Sequence, residues 1–489
     1  MGRVRLSVVF GLLTLVAGPA TRAQGATASG RLLTLPDGST LYLLPRPGRP
    51  VVHWATWVDM GRVHEPPGTQ GMAEACLLAS LGGDARTGTA DWDKERVLLE
   101  RIDDVGRELD EARRKGADAG RIAALEERLD GFRAGLRVLQ RPLELRERLA
   151  TLPVVDLEVR GEVEGSWLVM TTATSRLGEL ATMMAERRER TVLRGFHEAL
   201  AEVRARLAEA PAEPFLAEAR LQALQVHPLR GARGLPRFVP WQEARSFWRR
   251  HHRPERIVTV LVGAFDADRV AETMRSLFTA PAHPGERPPP LPVEPAQPGF
   301  RESFLELGGD PRLVVAWRVP DGTARADLEV LGRVLADGAD SMLARALRTE
   351  PPLAATIEAF PCHPARMDPC LFMLRLTGTE WNRARYEALL AEGRKVFDRV
   401  REDGVDAGLL GRAIDAWSAE RRLRDADPRE LAMTIAHRLA LTGEPAAVPP
   451  DAERCQALAK ALFDRRRLTM VSTALDLFER EAGGEGGGR

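Results

Sequence analysis

A chain of 489 residues, 44% apolar and 29% charged, is long enough for more than one domain and too apolar to be disordered. Its 70 basic and 70 acidic residues cancel, which removes any global attraction to nucleic acid or to an anionic membrane surface. Lysine occurs only at Lys94, Lys115, Lys395 and Lys460, an arginine bias that reflects genome base composition rather than nucleic-acid binding.

The chain begins with a targeting pattern. Arg3 and Arg5 precede an apolar run from Leu6 to Ala17, too short to cross a bilayer, and Thr21-Arg22-Ala23 offers a small-residue cleavage site. Residues 1–23 therefore read as a signal peptide, and a periplasmic or secreted location is expected. Arg31 to Pro45 reads as two short strands around an Asp37-Gly38 turn, and Val51 to Val58 as a third. A loop containing Glu65-Pro66-Pro67-Gly68 leads into a helix-forming run bounded by Gly71 and Gly83. From Trp92 to about Leu149, apolar residues recur at helical spacing on both sides of a break at Lys115–Gly120. This pattern predicts an inserted helical hairpin over about 91–150. Strands at Val154–Arg160 and Ser166–Thr174 follow, then helices at Arg176–Glu189, Gly195–Pro211 and Trp241–His252. A strand at Ile257–Gly263 and a helix at Asp266–Phe278 complete the half. His251 and His252, beside Arg249 and Arg250, read as a basic helix end.

Residues 280–299 are Pro-rich and read as a semi-rigid linker. Beyond it, strands near Glu302–Leu307 and Arg312–Val319 precede one helix from Ala324 to Thr349. Strands at Ala354–Phe360 and Cys370–Thr377, helices near Asn382–Glu402, Ala407–Arg424 and Glu453–Phe463, and a strand at Arg467–Ser472 complete it. Residues 483–489 are Gly-rich and read as a disordered tail. Four cysteines do not make a disulfide framework. Cys362 and Cys370 flank turn residues on strands that could bring them together, and the sequence leaves a bond between them open. Cys76 reads as a small core residue.

The same strand, loop and helix order runs twice, which makes the fold α+β with two lobes, at 30–279 and 300–482. In this order, in the Glu-Pro-Pro-Gly loop and in the flanks of the Gly71–Gly83 helix, the chain resembles the insulinase-like (M16) peptidases. The resemblance implies two α/β sandwich lobes, the first with the hairpin insertion. It also implies a zinc site on an inverted His-x-x-Glu-His motif. On that motif Glu74 occupies the first histidine, Leu77 the glutamate and Leu78 the second histidine, and Glu202 falls at the third-ligand position. Hydrolytic zinc needs three protein ligands and an open position for water, with a carboxylate to take the proton. Leucine supplies neither a ligand nor a base, so no catalytic residue and no zinc are expected.

The resemblance further implies a substrate-binding arginine and tyrosine in the second lobe. Arg348 keeps the first, and Ala355 replaces the second. The scattered histidines form no zincin-like pair, and no nucleophile elbow or phosphate loop is present. The expected function is that of a non-catalytic subunit. An active, zinc-bearing M16 chain would be its partner, and this chain would shape the peptide chamber. A partner-free scaffold for peptides or proteins, or a metallopeptidase with an unconventional site, are the alternatives.

Overall fold

The computed structural model describes residues 30–474 except 142–146, 148–150, 232–234, 280–286, 349, 367, 379 and 380. The expected signal peptide and tail lie outside the described residues. The first half contains β1 (Arg31–Thr34), β2 (Thr40–Pro45), β3 (Val51–Val58), α1 (Met72–Ala79), α2 (Trp92–Arg114), α3 (Ala119–Leu139), β4 (Val155–Gly161) and β5 (Ser166–Ala173). It continues with α4 (Leu177–Arg190), α5 (Phe196–Glu209), α6 (Pro214–Ala223), α7 (Trp241–His251), β6 (Ile257–Gly263) and α8 (Ala267–Leu277). The second half contains β7 (Arg301–Leu305), β8 (Arg312–Arg318), α9 (Arg325–Ala336), α10 (Met342–Leu347), β9 (Thr356–His363) and β10 (Leu371–Thr377). Helices α11 (Arg383–Asp403), α12 (Ala407–Ala426), α13 (Pro428–Thr442) and α14 (Ala452–Leu462) and strand β11 (Leu468–Thr473) follow.

The two sheets share one topology. The first runs β1-β2-β6-β3-β5-β4 and the second β7-β11-β8-β10-β9. Removing β1 makes the orders identical, and the single parallel pair falls at the same place in each, β2 with β6 and β7 with β11. In both lobes the last strand returns to lie between the first two of the repeated unit. Residue similarity alone does not reveal this duplication.

Strand periodicity of two explains how both faces of each sheet are buried. On β3, Val52, Trp54 and Val58 point into the helical layer of their own lobe, while Ala55 and Trp57 point the other way. On β8, Leu313, Val315 and Trp317 face their own helices, while Val314 and Ala316 face outward. Each outward face is covered by a helix from the opposite half of the chain. Leu431, Met433, Ile435 and Leu439 of α13 pack on β3 and β6, and Phe215, Leu216, Ala219 and Ala223 of α6 pack on β8 and β11. The lobes are thus reciprocally capped. Ala436 of α13 has no exposed surface in this layer. Ala436→Asp is expected to cost about 3 kcal/mol or more by placing a carboxylate among tryptophan and valine side chains, measured as a fall in the urea midpoint.

One expectation changes. The helix predicted over 324–349 is two helices, because Gly338 takes a left-handed φ of +78° and Ser341 caps a new start by accepting from Ala344 N–H. The hairpin of α2 and α3 is present, and α2 contributes Leu99, Ile102, Val105 and Leu109 to the first lobe's core. Its Asp103 accepts from the backbone N–H groups of Trp241 and Gln242 at 2.6 and 3.0 Å, capping α7.

Candidate functional site

Helix α1 is seated by its first turn. Gly71 has φ +87°, and a side-chain carbon there would lie 2.8 Å from Val203 Cγ1 of α5, so only glycine fits. The Glu65 carboxylate turns back to accept from Gly71 N–H at 3.1 Å and Ala73 N–H at 2.9 Å. It thereby satisfies donors that the helix itself cannot pair. Burial pushes its pKa up to about 7 against these hydrogen bonds.

The positions aligned with a metal motif are occupied differently. Leu77 is fully buried in the core, and Leu78 packs against that core from a partly exposed position. Glu74 is buried. It accepts from the Arg206 guanidinium and from Gly161 N–H, and burial raises its pKa against the pull of Arg206. Gly161 on β4 has no room for a side chain, since a Cβ would meet Glu74 Cβ at 2.7 Å. Glu202 is exposed on α5. The partner that α5 brings to Glu74 is Arg206, one turn beyond Glu202. Among the described residues no three His, Cys, Asp or Glu side chains converge as a metal site. Two leucines and an arginine-bound carboxylate do not fit a hydrolytic zinc. In the second lobe Arg348 is exposed at the end of α10, and Ala355 is exposed just before β9 with its N–H bonded to Thr377 O at 2.7 Å.

Beside α1 lies a cleft of about 750 Å³ between the halves of the chain. Arg62, His64, Glu65 and Gln70 come from the loop before α1, and Arg250 and His251 from α7. Arg220 comes from α6, the proline run 289–292 from the linker, and His363 and Pro364 from the end of β9. None of Glu74, Leu77, Leu78, Glu202, Arg348 and Ala355 is among its lining residues. The wall is cationic and its histidines are neutral. His64 accepts from Gly61 N–H through Nδ1 at 3.1 Å and has the Arg256 guanidinium 3.0 Å from Nε2. Burial, then Arg256, holds its pKa down to about 3. The His251 ring lies tilted 5.1 Å from His64 and 4.4 Å from Phe247, with its pKa also lowered to about 3 by burial and then Arg256. The reading of residues 251 and 252 as a basic helix end is corrected here. Both rings are buried, and His252 stacks on Trp248 at 3.8 Å. Among the described residues, His251 Nδ1 and Arg220 Nε lack hydrogen-bond partners although both are buried.

A second buried cluster joins the lobes behind the cleft. His437 Nε2 lies 2.6 Å from Glu164 Oε2, and Arg366 donates to His437 Nδ1 at 2.6 Å, which places the ring proton on Nε2. Arg366 N–H also donates to Glu164, and the His437 ring lies 4.4 Å from Trp57 and 6.1 Å from Trp167. No spacing in the sequence pairs these residues, because they come from the β4–β5 turn, the β9–β10 loop and α13.

Residues 241–416 match the family model described as the Peptidase M16 inactive domain. A protease from Helicobacter pylori superposes with a TM-score of 0.67 at 14% identity, covering 91% of this chain and 100% of that one. A Peptidase M16 inactive domain from Pseudomonas fluorescens gives 0.64 at 12% identity, with 91% and 97% covered. The periplasmic protease PqqL from Escherichia coli gives 0.63 at 13% identity, covering 92% of this chain and 48% of that longer one. A sequence comparison with curated proteins finds no match. The chain thus has the fold of the M16-like peptidases, and its residues 241–416 match the M16 inactive domain.

Proposed function

We propose that this chain is the non-catalytic subunit of a two-subunit zinc peptidase, shaping the peptide chamber without cutting. The observation that carries the reading is the ion pair of Glu74 with Arg206 where the family motif would hold metal, flanked by Leu77 and Leu78. A guanidinium has no open coordination position for water, and no carboxylate stands at Leu77 to accept a proton. The shell around that helix is nonetheless complete, with two capped lobes and a cleft whose cationic wall suits an extended, acceptor-rich peptide. In this reading zinc belongs to the partner chain, and the complex works in the periplasm or outside the cell.

The test is co-purification and reconstitution with a homologue from the same genome that retains His-x-x-Glu-His. The lone chain is expected to bind no stoichiometric zinc and to cleave nothing. The mixed complex is expected to cleave peptides in a chelator-sensitive way and faster than the partner alone. A chain that stays alone or self-associates, and does not stimulate the zinc homologue, supports a scaffold instead. Chelator-sensitive cleavage by the lone chain overturns the proposal.

A further inference from the structure

The loop between β9 and β10 does more than connect strands. His363 Nε2 meets the Arg220 guanidinium of α6 at 2.6 Å. Ala365 packs in the same apolar cluster as Val63 and Leu229. Arg366 reaches both Glu164 and His437. The loop therefore clasps the second lobe onto the first, and His363 and Pro364 form one wall of the cleft. At its two ends stand Cys362 and Cys370, with Sγ atoms 3.5 Å apart.

We propose that Cys362 and Cys370 are an oxidisable pair whose disulfide closes the base of this loop and tightens the clasp between the lobes. Both sulfurs already touch, so a bond needs only a small rotation of each side chain toward the bonded separation of about 2.0 Å. The two thiols are unequal in the way that exchange chemistry requires. Cys362 is partly exposed, and hydrogen bonding from Cys370 draws its pKa below the usual thiol value, with Arg325 adding to the effect. Cys370 is buried, and its hydrogen bond to Cys362 together with burial pushes its pKa up. Cys76 and Cys455 are buried on separate helices, α1 and α14, and their pKa values are raised by burial, which leaves them out of the exchange.

The oxidant is an external disulfide, either a small one such as oxidised glutathione or that of a thiol oxidase. The Cys362 thiolate attacks one of its sulfurs, forming a mixed disulfide and expelling a thiolate. Cys370 then gives up its proton, attacks the Cys362 sulfur and expels the second thiolate. The protein loses two electrons and two protons, and the oxidant becomes two thiols.

The full-length protein, incubated with oxidised glutathione, alkylated in denaturant and mapped by peptide mass, tests the pair. The expected result is one linked peptide pair, lighter than the reduced peptides by two hydrogens, with Cys76 and Cys455 alkylated. Hydrogen exchange of residues 163–165 and of α13 is expected to slow by at least about threefold on oxidation, since closing a loop restricts its local opening. That difference should vanish in Cys362→Ser/Cys370→Ser. Alkylation at both cysteines after oxidation, or linkage to Cys76 or Cys455, overturns the pair. A bond that leaves exchange unchanged overturns the clasp. If the double variant does not fold, the oxidised and reduced natural chains still decide both points.

Discussion

Arg194→Met is expected to destabilise the protein by about 3–5 kcal/mol, the range for breaking a buried ion pair from one side. Neither Arg194 nor Glu95 has an exposed side chain. The guanidinium Nε lies 2.8 and 3.1 Å from the two Glu95 oxygens, and the other nitrogens donate to the carbonyls of Gly82, Asp84 and Thr87 at 2.7–2.8 Å. One side chain thus ties α2 to the loop that leaves α1. Removing it strands the Glu95 carboxylate with Gln140 Nε2, 3.0 Å away, as its remaining side-chain partner, and orphans three carbonyls. Glu95→Leu/Arg194→Met should recover part of the loss by removing the buried charge, but not the carbonyl bonds. Arg206→Ala makes the informative contrast. Its partner Glu74 is buried, but the Arg206 side chain is 51% exposed, and water screens such a pair. A cost below about 1 kcal/mol is expected there. Denaturant unfolding of the variants measures both. Equal losses would mean that solvent screening does not separate the two pairs.

That contrast bears on how α1 is kept. Its architecture is secured by Glu65 at one end and by the Arg194 network beyond the other, neither of which touches the aligned motif positions. The Glu74–Arg206 pair is an occupant of the site more than a support of it. A helix held from both ends can change its central residues without losing its place.

The lobes were legible because their strands and long helices follow period two or period 3.6 within a few residues. Helices α6 and α13 were not, and the reason is physical. Each covers the outward sheet face of the opposite lobe with one stripe, but exposed apolar residues, Leu221 on α6 and Leu441 on α13, blur that stripe in the sequence. The available signals were the caps, Glu213-Pro214 and Asp427-Pro428, each with Pro at the first helical position. The site divides in the same way. The expectation for Glu74, Leu77 and Leu78 comes from aligning one short run with a motif. Arg206, His64, His251, His363 and the Glu164–His437–Arg366 cluster are assembled from distant segments, and only the fold brings them together.

The second large effect is expected on acidification. His64 and His251 have pKa values near 3, and His197 and His363 near 4, all lowered chiefly by burial from an ordinary 6.5. A histidine whose pKa is depressed in the fold contributes stability that is present above pH 6.5 and lost as pH falls toward the folded value. By pH 5 each forfeits roughly 2 kcal/mol, because the unfolded chain takes up protons that the native one refuses. Two carboxyls act in the opposite direction. Glu65, raised to about 7, and Asp103, raised to about 6, both mainly by burial, are least costly when protonated. Between pH 7 and 5 they return roughly 3 kcal/mol together. The histidines outweigh them, so the denaturant midpoint is expected to fall from pH 7 to pH 5. The fall should be steeper in Glu65→Gln, which removes a compensating group, and shallower in His251→Phe, which cannot take a proton. Three of these histidines line the cleft beside Arg62, Arg220 and Arg250. Their protonation adds positive charge to a wall already rich in it, and hydrogen exchange there should quicken before global unfolding. A midpoint that is flat or rises between pH 7 and 5 in the natural chain would show that these rings are not held neutral.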